Sequence, residues 1–200
     1  MFMDNQRKIT ALDYIIQCDD VSKSFKSEND ENEVIKSLNL NIKENEFVVL
    51  FGHGQCGKTT ILNIIAGLEL PSSGKVIVNG KEVSGPDPDR GMVYQSTALF
   101  PWLNVMGNVE FGPKMLGVNK KERREKAQYY IDLVGLQGFE KHFPIKLSGG
   151  MCQRVGIARA LALKPDFIIC DEPVSALDVS IQAQILNLLE ELQDELGLTY

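Results

Sequence analysis

A five-residue apolar run, Phe47-Val48-Val49-Leu50-Phe51, stops at Gly52-His53-Gly54-Gln55-Cys56-Gly57-Lys58-Thr59, and apolar residues at helical spacing follow from Lys58 to Leu68. Few local patterns constrain a fold as strongly. The run has no polar alternation, so it reads as a central strand covered on both faces. The glycines let the chain curl until successive N–H groups converge on one point. A helix opening directly after the curl adds unpaired N–H groups and the positive end of its dipole. Spacing and context together match the phosphate-binding loop G-x-x-x-x-G-K-[ST]. Lys58 then supplies positive charge for the β and γ phosphates, and Thr59 a hydroxyl for magnesium. Gly52, His53, Gly54, Gln55, Cys56, Gly57, Lys58, Thr59 and Thr60 form the candidate nucleotide-binding segment.

A second apolar run, Phe167-Ile168-Ile169-Cys170, ends in Asp171-Glu172-Pro173. Four apolar residues make a buried strand whose end is expected to bring two carboxylates near the loop. Asp171 is expected to organise magnesium through water, because magnesium keeps part of its hydration shell. Glu172 is placed to orient and deprotonate an attacking water, a general-base role. The ordinary alternative for an acidic pair is a surface turn. Between the two segments lies Leu147-Ser148-Gly149-Gly150-Met151-Cys152-Gln153-Arg154, a hydroxyl and two glycines before a helical pattern. That run suits close approach of backbone to an anion at a helix N-terminus. Its bland reading is a loop with a serine cap.

The rest of the chain alternates strand and helix. Tyr14–Cys18 and Val34–Ile42 read as strands around a polar loop at Lys26–Glu33, and Lys75–Asn79 as a strand ending in the hairpin signal Asn79-Gly80. Met92-Val93-Tyr94 is a short strand leading to Gln95. From Ser96 to Lys146 the pattern turns helical, broken by Pro101, Gly107, Gly112-Pro113, Gly117 and Gly135. Met151–Leu163 reads as a helix. Val179–Leu196 reads as an amphipathic one, with Ile181, Ile185, Leu188, Leu192 and Leu196 on one face. This alternation favours an α/β fold.

Composition narrows the function classes. The 200 residues are 44% apolar and 24% charged, which suits one globular domain and no membrane span. The net charge of −6, with one basic run at Lys120–Arg124 that alternates with acids, argues against nucleic acid as the main partner. Four cysteines without close pairing and two histidines favour reduced thiols over a zinc site. Met1–Thr10 is polar and lacks the apolar stretch of a secretory signal, so the expectation is a soluble intracellular chain that reaches a membrane through a partner.

Together and in this order, the loop, Leu147-Ser148-Gly149-Gly150-Met151 and Phe167–Glu172 resemble the ATP-binding cassette (ABC) ATPases, motor subunits of membrane transporters. The resemblance covers nearly the whole chain. It implies an α/β P-loop NTPase fold with a largely parallel central sheet, an N-terminal antiparallel β subdomain and an inserted helical lobe. Residues 1–95 and 151–200 would form the sheet and catalytic core, and about 96–150 the lobe. By the same resemblance, Gln95 is the Q-loop glutamine that contacts magnesium and the attacking water. Ser175-Ala176-Leu177-Asp178 is the D-loop that lies along a partner subunit, and Phe25 is the aromatic that stacks on adenine. Alternatives stay open: Gln95 also fits a surface residue, Asp178 a helix N-cap and Phe25 a core or surface ring.

The resemblance further implies ATP and Mg2+ as cofactors, with a second copy placed head to tail. The loop of one copy and the Leu147–Met151 signature of the other then sandwich each ATP. Transmembrane permease subunits are implied as partners, an extracytoplasmic binding protein indirectly, and a cytoplasmic location on the inner face of the membrane.

Some residues depart from the family pattern. Most members carry Ser-Gly where this chain has Gly54-Gln55, and arginine where it has Cys152. A side chain at position 55 costs about 1 kcal/mol if the backbone is left-handed there, so weakened ATP affinity is expected. Gly85–Gln95 and Ala98–Val105 resemble nitrate-, sulfonate- and taurine-type importers, whereas Asp171–Gln184 resembles oligopeptide and dipeptide importers, with a seam near Arg154. The histidine that contacts the γ phosphate in the family has no equivalent before Tyr200, so a fragment with poor hydrolysis is expected. The competing classes are a soluble ABC ATPase without a permease, and a P-loop kinase or GTPase. The latter would lack Leu-Ser-Gly-Gly.

Overall fold

The computed structural model describes residues 14–27, 30–96, 98–175 and 177–200, and leaves the side chains of Ser27 and Glu31 undescribed. The expectations for Met1–Thr10 and for Ala176 lie outside those residues. The chain divides into two compact units, one up to Pro86 and one from Asp87 to Tyr200, described separately below.

The first unit is built on β1 (Ile16–Ser27), β2 (Asp30–Ile42), β3 (Ser73–Val78) and β4 (Lys81–Glu82), in the sheet order β2-β1-β3-β4. All its pairings are antiparallel. Of the stretch expected as a polar loop at 26–33, residues 26–27 and 30–33 instead continue the two strands, since Lys26 pairs with Glu31 and Ser27 with Asp30. Lys26, Asp30, Asn32 and Glu33 are exposed there, and the alternation rule does not distinguish a solvated strand end from a loop. Asn79 and Gly80 both have positive φ, 49° and 74°, as a tight hairpin turn demands. Ile16, Cys18, Val21, Ile35, Val76 and Val78 form the buried face. Helix α1 (Lys58–Ala66) contributes Ile61, Ile64 and Ile65 to the buried residues of this unit.

One expectation is overturned here. Phe47–Phe51 belongs to neither described sheet, and Phe51 is fully exposed, with Val49 72% and Phe47 40% exposed. A continuous apolar run states which environment a strand tolerates, not which ladder it joins. The strands of the first unit are all antiparallel, and the parallel pair lies in the second unit.

The second unit combines β5 (Arg90–Val93) and β6 (Phe167–Cys170), paired in parallel, with five α-helices. A further parallel bridge joins Phe167 to Thr199. The helices are α2 (Val105–Val109), α3 (Phe111–Met115), α4 (Lys120–Leu133), α5 (Gly149–Leu161) and α6 (Val179–Leu196). Val109, Ile131, Val155, Ile157, Ile168 and Leu189 are among its fully buried side chains. Each such aliphatic residue contributes roughly 1.5–3 kcal/mol relative to exposure. Helix α6 follows its expected bounds and buries Ile185, Leu188, Leu189 and Leu192. Among the described residues, no helix is long and apolar enough to cross a membrane.

Candidate functional site

Helix α1 begins without a capping side chain. Its N-cap is Gly57 at φ 92°, which has no side chain to make a capping bond. A Cβ at Gly57 would stand 3.0 Å from Val34 Cγ1 and 3.1 Å from the Val34 carbonyl, so β2 presses directly on the loop and only glycine fits. Lys58 Nζ donates to the carbonyl oxygens of Gly52 and His53, both at 3.0 Å. The ammonium is thereby held inside the curl rather than extended away from it. The helix dipole and a fixed cation converge on one spot, which suits a polyphosphate.

Gln55 has φ 63°, a left-handed conformation unfavourable to a side chain, whereas a Cβ at Gly54 would meet open space. The chain therefore places its glycine where a side chain would fit, and a side chain where glycine would relieve strain. Cys56 is exposed, and its Sγ lies 4.0 Å from Lys58 Nζ. Cys18, by contrast, is buried, and burial pushes its thiol up to about 11.

Phe25 lies on β1, 42% exposed, with Lys23 Nζ 5.0 Å from its ring centroid. Register puts Lys23 opposite Ile35 and Phe25 opposite Asn32. Gly57 presses on Val34 and Ile35, so Phe25 stands about two residues, roughly 7 Å of strand rise, further along the same hairpin. The ring is therefore a surface aromatic near the loop rather than a core residue.

In the second unit the parallel register pairs Val93 with Cys170, so Gln95 and Asp171 leave the sheet at the same end. The Asp171 N–H donates to the Val93 carbonyl at 3.0 Å, which fixes the exit of β6. Gln95 Nε2 donates to Ser175 Oγ at 3.2 Å and points to Glu172 Oε2 at 3.5 Å. Ser175 Oγ in turn donates to the Glu172 carbonyl at 3.1 Å. Glu172 has φ 46°, a strained conformation of the kind held where a side chain must be aimed. The structure thus brings Gln95, Glu172 and Ser175 together, with Asp171 adjacent in sequence. With the Gln95 nitrogen so engaged, its oxygen is the atom left to face a cation. Within this unit the Asp171 carboxylate and Gln95 amide are hard oxygen donors, a chemistry that suits magnesium.

The signature segment is organised differently. Ser148 caps α5, its Oγ accepting from the Met151 N–H at 3.3 Å. Gly149 and Gly150 form the first turn, while Leu147 and Met151 pack against the core of this unit. Cys152 points its Sγ at the Pro144 carbonyl, 3.7 Å away, and burial raises its thiol. Asp178 stands at the N-cap of α6, but its side chain makes no capping bond. Gln182 Nε2 instead ties down the Val174 and Leu177 carbonyls, at 3.1 and 3.0 Å. The capping expectation for Asp178 holds in position and fails in mechanism, because Gln182 on the first turn reaches the preceding loop.

One residue escaped the sequence reading. Asn108 is fully buried, accepts from the Phe100 N–H at 2.8 Å and donates to the carbonyls of Phe100, Leu103 and Asn104. It staples the loop that presents Trp102, 70% exposed. Its one visible signal was an amide inside the apolar helix Val105–Val109.

Residues 35–175 match the ABC transporter family. The nitrate import ATP-binding protein NrtD of Synechocystis sp. is 42% identical over 181 residues, 90% of this chain and 68% of that protein. The taurine import ATP-binding protein TauB of Roseobacter denitrificans is 42% identical over 185 residues, 92% of this chain and 69% of its own length. Among solved structures, the dimeric post-hydrolysis state of the ATP-binding cassette MJ0796 bound to ADP and Pi superposes with a TM-score of 0.80 and 36% identity. It covers 92% of this chain and 85% of that one.

Proposed function

The chain belongs to the ABC transporter ATPases, and on that premise we propose that it is the ATP-hydrolysing subunit of an importer for nitrate- or sulfonate-like small anions. The observation that carries the cargo class is the 42% identity to a nitrate import subunit over 90% of the chain. A match of 181 residues out of 200 necessarily runs past Arg154, so it includes both sides of the seam read in the sequence.

In this reading Lys58 and the N–H groups opening α1 hold the β and γ phosphates, and Phe25 stacks on adenine. Thr59, Asp171 and Gln95 would hold magnesium, which would supply positive charge against the phosphates. Glu172 takes a proton from water as the water oxygen bonds to the γ phosphorus. The bond from that phosphorus to the bridging oxygen breaks, and ADP and phosphate leave. Gln95 and Ser175 hold the carboxylate and the water in line. Ser148, Gly149 and Gly150 of a second copy close the site from the other side, and its 175–178 segment lies alongside. Closing with ATP and opening after hydrolysis drive permease subunits docked on the segment Leu99–Val109, where Trp102 is exposed. The dimeric cassette bound to ADP and Pi supports the two-copy arrangement.

Glu172→Gln tests the chemistry. It is expected to retain ATP binding while turnover falls about 100-fold or more, the usual worth of a general base. Unchanged turnover would assign the water to another group. The cargo is tested by ATP-dependent uptake of nitrate against taurine and a dipeptide, in vesicles carrying the multi-span permease that co-purifies with the chain. Dipeptide uptake alone would replace the anion reading.

A further inference from the structure

Gly149 and Gly150 stand in the right-handed first turn of α5, where no positive φ requires glycine. The requirement is spatial. A Cβ on Gly149 would lie 3.1 Å from Leu177 Cδ2, and one on Gly150 only 2.7 Å from Ile181 Cγ2. The obstructing atoms belong to this chain's own 175–178 segment and to the first turn of α6. Both Leu177 and Ile181 are partly buried against the core of the second unit. Ile181 is also β-branched within a helix, where χ1 has one strongly preferred rotamer. Its Cγ2 cannot swing aside as the end of a flexible side chain would.

We propose that Ile181, with Leu177, is a positioning residue that seats α6 directly on the signature glycines. The two segments each chain offers its partner copy, 147–151 and 175–178, then move as one body. Gly150 is small to accept Ile181, before any question of how closely a phosphate approaches it. This rests on the head-to-tail reading above.

The two explanations of Gly150 give opposite results in a second-site experiment on the whole chain. Gly150→Ala is expected to lower kcat about tenfold or more, with KM for ATP shifted less than about threefold, since one forced methyl in a packed contact has that order of effect. Adding Ile181→Met removes the β-branch and keeps an adaptable side chain of similar volume. Turnover of that double variant is expected to rise at least about threefold above that of Gly150→Ala alone, because the exchange at position 181 conserves volume. Ile181→Val keeps both γ carbons and should give no recovery. The proposal is overturned if Gly150→Ala turns over like the parent, or if Ile181→Met leaves its defect intact. A parent whose turnover does not depend on chain concentration would instead count against the head-to-tail reading. Thermal melts of the same variants then decide the seat. A midpoint lowered by Gly150→Ala and restored by Ile181→Met supports it, and one not restored overturns it.

Discussion

Two helices of this chain open on glycine-rich runs, and they use glycine for opposite purposes. At α1 the loop needs conformational freedom: Gly57 sits at φ 92°, no side chain caps the helix, and Lys58 is folded back onto the carbonyls of Gly52 and His53. At α5 the backbone is ordinary, Ser148 caps the helix, and Gly149 and Gly150 are small because Leu177 and Ile181 lie against them. The first end has no side-chain cap. The second has satisfied part of its own hydrogen bonding and is built against a neighbouring element. Similar glycine-rich strings thus answer a conformational need at one helix and a spatial one at the other.

The largest effect that distinguishes them is expected at Lys58. Lys58→Ala removes the fixed cation and should weaken ATP binding about 10- to 100-fold, the worth of charged hydrogen bonds, in a calorimetric titration. Affinity within twofold of the parent would mean that the uncapped helix alone holds the nucleotide. A smaller effect of the opposite sign is expected at Gln55. Gln55→Gly relieves a left-handed residue at φ 63° and should tighten ATP binding about fivefold, roughly 1 kcal/mol. No gain in the same titration would show that the loop tolerates the side chain without strain on binding. The smallest effect belongs to the capped end. Ser148→Ala loses one long capping bond and should cost about 0.5–1 kcal/mol of stability, read as a melting midpoint a few degrees lower. An unchanged midpoint would remove the distinction in capping between the two helices.

How far these differences could be read from sequence follows from how local their causes are. β6 and α6 were legible to the residue because Phe167–Cys170 is bounded by polar neighbours and Val179–Leu196 keeps a helical period. The Asn79-Gly80 turn was legible because its chemistry dictates its φ angles. The loop at Gly52–Thr59 was legible as a motif, whereas whether position 55 is left-handed was left as a condition, which its φ of 63° meets. Phe47–Phe51 was misread because sheet membership depends on distant strands. Gln182 replacing Asp178 as the tether of the preceding loop, and Asn108 stapling residues 100–104, depend on hydrogen bonds that no spacing rule contains. The clash awaiting a Cβ at Gly150 depends on helix α6, whose first turn begins nearly thirty residues later.

The central claim is that each ATP is held by the α1 end of one molecule and the α5 end of another. Mixing two variants tests it directly: Lys58→Ala, broken at the loop, and Ser148→Arg, broken at the signature. Each alone is expected to show little turnover. When they are mixed in equal amounts, random pairing makes half of the dimers mixed, and each of those carries one intact site of two. Turnover should then return to roughly a quarter of the parent rate. A mixture no more active than either variant alone would contradict a site shared between two molecules.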